Sequence, residues 1–111
     1  MKSLQAKLMD IRDALYSTGV PTYHYDRPEN VTAPWIVWAE DGEESSFNGD
    51  NLKEEQQIHG VVDCYTQQEY DPLLDKVQEA LNGIAAGWSL TSVQYEDETK
   101  LIHYSWEFYS V

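Results

Sequence analysis

Leu4, Leu8, Ile11 and Leu15 recur at helical spacing with Lys7, Asp10 and Asp13 between them. This predicts an amphipathic helix over about residues 3–17, with all four apolar residues in the core. Gly19 and Pro21 stop it. Residues 20–26 read as a short extended segment, placed at a sheet edge by Pro21. Residues 27–30 read as a turn. Residues 35–39, Trp-Ile-Val-Trp-Ala, are apolar on both faces. A strand of that kind needs core on one side and core or a partner on the other. From Gln56 to Tyr65 the pattern switches to period two, with Ile58, Gly60, Val62 and Cys64 alternating with His59, Val61, Asp63 and Tyr65. Gly60 inside that strand signals a bulge or a close approach.

Asp71-Pro72 supplies a cap followed by proline at the first helical position. Leu74, Val77, Leu81 and Ile84 then make the buried stripe of a second helix, over about residues 71–86. A capping box at Thr66 and Glu69 competes as its start. A residue before proline resists the α region, and that favours Asp71 as cap. Residues 88–95 and 100–109 form a closing hairpin across Glu96-Asp97-Glu98-Thr99. In the last strand Ile102, Tyr104, Trp106 and Phe108 share the core face. The order is α-β-β-β-α-β-β, and the economical packing is an α+β sandwich with both helices on one face of a mainly antiparallel sheet. At 111 residues the chain is one domain, 1–111, that buries roughly two-thirds of its surface.

Residues 40–55 break the pattern. Glu40, Asp41, Glu43, Glu44, Asp50, Glu54 and Glu55 stand there against one Lys53, with Phe47 and Leu52 as the only large apolar residues. The composition predicts a long, solvated, mobile acidic loop, and loops of that length in a compact domain are usually functional or disordered.

Composition then narrows the function. Seven Lys and Arg against twenty Asp and Glu give a net charge of −13. Such a chain is poorly built to grip phosphate backbones or an anionic membrane, both of which call for clustered cations. An aromatic content of 13% argues against acidic disorder. A single cysteine, Cys64, excludes an internal disulfide and a multi-cysteine zinc site. No apolar run approaches the roughly 20 residues of a membrane span. The scattered charges of the first fifteen residues are unlike a signal peptide. A soluble protein of a reducing compartment is the expectation.

Catalytic chemistry finds little footing. No paired-histidine helix motif, phosphate-binding glycine loop, nucleophile elbow or calcium-loop register is present. Cys64 has no neighbouring cation to lower its pKa and reads as a buried structural thiol. His59 and Asp63 share one strand face, as do His103 and Glu107; on neighbouring strands they could gather into a divalent-metal cluster, although a polar sheet face is the plainer reading. No catalytic residue, cofactor or metal site is expected. Four Trp and eight Tyr exceed what one small core holds, and interfaces enrich both. Trp35, Trp38, Trp106 and Tyr109 are therefore candidate subunit-contact residues, and Phe47 and Leu52 join them as the apolar anchors by which the acidic loop could dock on the next subunit.

The leading helix, the block APWIVWAEDGEESSFNGDNL, the later VVDCYTQQEYDPLLDKVQEAL and the ending LIHYSWEFYSV, in this order, resemble the small tail-terminator or tail-completion proteins of long-tailed bacteriophages and prophages. The resemblance spans nearly the whole chain. It implies a structural, non-enzymatic virion protein, made in the bacterial cytoplasm. It also implies self-association into a ring, commonly a hexamer, on the last tail-tube ring, where it ends polymerisation and meets the head-side connector. Neck proteins of similar size are alternatives. An acidic inhibitor that mimics DNA is a second class of reading, and a small metal-dependent enzyme a third.

Overall fold

The computed structural model describes residues 2–43 and 56–110. Helix α1 (Leu4–Tyr16) leads into a short strand β1 (Thr22–His24), then β2 (Trp35–Glu43), β3 (Ile58–Thr66), helix α2 (Leu73–Ile84), β4 (Ala85–Glu96) and β5 (Leu101–Ser110). The five strands form one sheet in the order β1-β2-β3-β5-β4. Only the β1–β2 pair is parallel. This is the expected α+β architecture and element order.

Strand register sorts the side chains onto two faces. Ile36 pairs with Cys64, which pairs with Tyr104; Trp38 pairs with Val62, which pairs with Trp106. Ile36, Trp38, Val62, Cys64 and Trp106 meet Ile11 and Leu15 of α1 and Leu73, Val77 and Leu81 of α2 in one core, with Tyr104 packed against it. Both helices therefore cover the same face. Two indoles tie the sheet to α2: Trp106 Nε1 donates to Gln78 Oε1 (3.1 Å) and Trp88 Nε1 to Asn82 Oδ1 (2.8 Å). A buried indole N–H needs such a partner, or it carries the cost of desolvation.

The helix ends follow local chemistry. Ser3 Oγ accepts from the Ala6 amide and caps α1. At α2, Asp71 Oδ1 accepts from the Leu73 amide and Asp71 Oδ2 accepts from the Thr66 hydroxyl (2.6 Å). The helix thus starts after Asp71 and not at Thr66, whose hydroxyl instead holds the Asp71 carboxylate.

Several expectations need correction. Leu4 is exposed, and Lys7 takes the inward place on α1 together with Ile11 and Leu15. The Lys7 stem runs along apolar surface while Nζ donates to the Gln56 carbonyl; a lysine can bury its methylenes this way when its ammonium finds an acceptor. On α2 the four-residue spacing Leu73-Val77-Leu81 points inward, and Leu74 and Ile84 flank the core. Ile102 and Tyr104 are half-buried, not core. The second helix stops at Ile84, and β4 begins at the next residue. The acidic segment is not a loop from residue 40. Glu40, Asp41 and Glu43 belong to β2, where backbone pairing with β3 carries the strand through a bulge between Glu40 and Gly42. Glu44, Phe47, Asp50, Leu52, Glu54 and Glu55 lie outside the described residues.

Gly60 faces the core opposite Phe108 and Glu40. A Cβ there would stand 2.7 Å from the Phe108 ring and 2.8 Å from the Ala39 carbonyl oxygen. The close-approach reading of Gly60 therefore holds. We expect Gly60→Ala to cost about 1–3 kcal/mol through overpacking. Urea denaturation checks this, and an unchanged midpoint would show that Phe108 moves aside freely.

Candidate interaction surfaces

The face of the sheet away from the helices carries Val37, Asp63 and Ser105 in one cross-strand row, and Ala39, Val61, Glu107 and Ser89 in the next. His59 lies opposite Tyr109, and Tyr65 opposite His103. The face is polar, and its carboxylates are engaged by histidines. His103 Nε2 lies 2.8 Å from Asp63 Oδ1. His59 pairs with Asp41 through Nδ1 and stands 3.7 Å from Glu107 through Nε2. At the β1 edge His24 Nε2 lies 2.6 Å from Glu40 Oε1 and stacks on Trp38 at 3.9 Å. Each of the three histidines thus sits on a carboxylate. The Tyr25 hydroxyl also donates to Glu40. Burial pushes the Glu40 carboxyl up, but the hydrogen bonds from Tyr25 and His24 outweigh it and hold the group below the usual range.

The strand neighbours bring His59, Asp63, His103 and Glu107 onto one face, as their spacing allowed. They divide into a His103–Asp63 pair and a His59–Glu107 pair instead of converging. Among the described residues no group of three or more His, Cys, Asp or Glu is placed to hold a metal ion.

The aromatic interface candidates separate. Trp38 and Trp106 are buried in the subunit's own core. Trp35 is buried on the opposite face, stacked on Tyr65 at 4.9 Å and roofed by the Arg27 guanidinium at 4.5 Å. Its Nε1 is the one buried side-chain polar atom among the described residues without a hydrogen-bond partner. The three indoles are therefore largely used up within the subunit, while half-buried Tyr109 keeps surface on the open face. Sequence reasoning missed a different set: Leu90, Val93 and Tyr95 of β4, and Met9 and Tyr16 of α1, are exposed large apolar residues. The signal was present in the uncharged run that ends at Tyr95.

Cys64 is fully buried, and burial, with the Asp71 carboxylate nearby, pushes its thiol up to about 12. A thiol so placed is protonated and shielded. We expect no reaction of the native protein with a disulfide reagent at pH 8 and one equivalent after unfolding. Rapid stoichiometric labelling of the folded chain would contradict the buried assignment.

No family model matches the chain, and no curated protein matches it. Solved structures do resemble it. The fold matches a virion chain. That chain comes from the virion of a native gene transfer agent particle; 97% of the present chain and 92% of the other superpose with a TM-score of 0.59 at 11% sequence identity. At that identity the likeness is one of fold. Among the described residues no helix is long and apolar enough to cross a membrane.

Proposed function

We propose that this chain is a structural virion protein of a phage-type particle. In this reading it assembles as a hexameric ring on the end of the tail tube, stops tube polymerisation and presents a surface to the head-side connector. The observation that carries the reading is the end-to-end fold likeness to a chain of a gene transfer agent virion, a phage-like particle. The order of sequence blocks shared with tail-terminator proteins supports the finer assignment. So does the charge: −13 per subunit, repeated around a ring, repels DNA phosphates along a lumen within a Debye length of about 8 Å. A non-enzymatic role fits side chains that are tied to one another. His24, His59 and His103 each engage a carboxylate, and Cys64 is protonated and buried.

The test adds the purified chain to polymerising tail-tube protein of the same particle and measures tubes by electron microscopy. Tubes that stop at limited length with a ring at one end are expected. Uncapped tubes of unchanged length would sink the reading.

One observation favours a second reading, the DNA mimic. Glu40 and Asp41 are fixed in β2 and not carried on a loop, as a mimic requires. Both, however, are engaged by histidines, which blunts their resemblance to free phosphates. Inhibition of a DNA-binding enzyme by a monomeric chain would support the mimic against the ring.

A further inference from the structure

Residues 80–95 contain no charged side chain, sixteen in a row in a chain that is 24% charged. The fold makes most of this stretch into β4, twelve residues at the outer edge of the sheet. Natural edge strands are guarded by lysine, proline, shortness or bulges, because a free row of N–H and C=O groups recruits other strands. β4 has no lysine and no proline, and it is long; bulges at Ala85/Gly87 and Leu90/Ser92 are its guards. Leu90, Val93 and Tyr95 stand out on it, between 46% and 59% exposed. The opposite edge carries a second apolar feature. There Met9, Arg12 and Tyr16 of α1 overhang β1 and enclose a notch of about 170 Å³ floored by Leu8, His24 and Trp38.

We propose that β4 is the docking edge for a second copy of this chain, which it meets along that copy's α1–β1 edge, with one of Leu90, Val93 and Tyr95 entering the notch. The occupant follows from two features. Copies that each carry −13 repel one another, and the uncharged run is where two of them meet with least like-charge penalty. Second, two different patches on opposite edges suit a head-to-tail contact, which closes into rings; a two-fold contact would use one patch and leave the other bare. The inference rests on the ring reading for closure, but not for the contact itself.

The experiment uses the full-length chain at high concentration. Met9→Cys and Val93→Cys are prepared singly and together, then treated with a short bis-maleimide. Buried Cys64 serves as the silent background. The double variant should give a ladder of cross-linked oligomers. A mixture of the two single variants should stop at one dimer band, and neither single variant alone should cross-link. Leu90→Lys/Val93→Lys should keep its melting temperature within a few degrees and lose at least tenfold in self-association by light scattering. Cross-linking of Val93→Cys with itself would mean β4–β4 pairing and overturn the proposal. Wild-type rings that persist in the double-lysine variant would also overturn it and leave the ring reading intact. A Met9–Val93 ladder without closed rings in micrographs would confirm the contact and overturn the ring. A wild-type chain that neither associates nor cross-links would overturn both.

Discussion

Trp106→Ala is expected to lower stability by about 3–5 kcal/mol, among the largest effects of any single substitution in this chain. Trp106 sits at the centre of β5, 1% exposed, paired with Val62 on one side and Leu90 on the other. Truncation removes a large apolar surface from the core and leaves a cavity between β5 and α2. It also strips Gln78 of the indole N–H it accepts from across the helix–sheet junction. The two losses share a site and do not add as independent terms. Trp106→Phe separates them, since it keeps most of the volume and deletes only the hydrogen bond. Its cost should be well below that of alanine, in the range of about 1–3 kcal/mol for a buried acceptor left unsatisfied together with a small void. Chemical denaturation of both variants is the measurement. Equal losses would mean that the Gln78 contact dominates and that the ring volume matters little.

Leu81→Ala is the second large effect, about 2–5 kcal/mol. Leu81 is fully buried on the inward stripe of α2, below Val77 and one turn before the helix gives way to β4. The spread reflects how far the surroundings can collapse. Here they are held by the hydrogen bonds of two indoles to α2, so little relaxation and a cost toward the upper half are expected. Leu4→Ala is the matched control. Leu4 is exposed on the first turn of α1, and its truncation should stay within about 0.5 kcal/mol. A loss at Leu4 comparable to that at Leu81 would show that the first turn of α1 packs against something.

These two leucines also mark what could be read from residue order alone. Leu81 lies where periodicity places it, because α2 has a four-residue apolar spacing and one wet side. Leu4 misled, because the apolar spacing of α1 fits two stripes that differ by one residue, and the deciding element is a lysine. Periodicity assigns Lys7 to water; only the tertiary fold reveals the Gln56 carbonyl that receives its ammonium. The alternation was legible in β3 and, from Trp106 onward, in β5, since a half-covered sheet writes its two faces into every second residue. The acids at 40, 41 and 43 were not, because composition says loop wherever carboxylates cluster. Backbone pairing overrode it, with His24 bonded to Glu40 and His59 to Asp41 from other strands. The exposed apolar surface was obscured for a related reason. Trp is the usual sign of an interface, but Trp38 and Trp106 are needed inside so small a core. Residues that sequence reasoning passes over, Leu90, Val93 and Met9, are left outside.

The junction at Ile84 and Ala85 has a consequence for how this chain can change over time. With no connecting residue, the rotation of α2 and the pleat of β4 are locked in phase. Inserting or deleting one residue there would turn every later β4 side chain to the other face of the sheet. Leu90, Val93 and Tyr95 would then project from the polar side, and the hairpin would have to slip against β5 to recover. Length variation among descendants of this sequence should therefore accumulate in the 97–100 turn and be purged at 84–85.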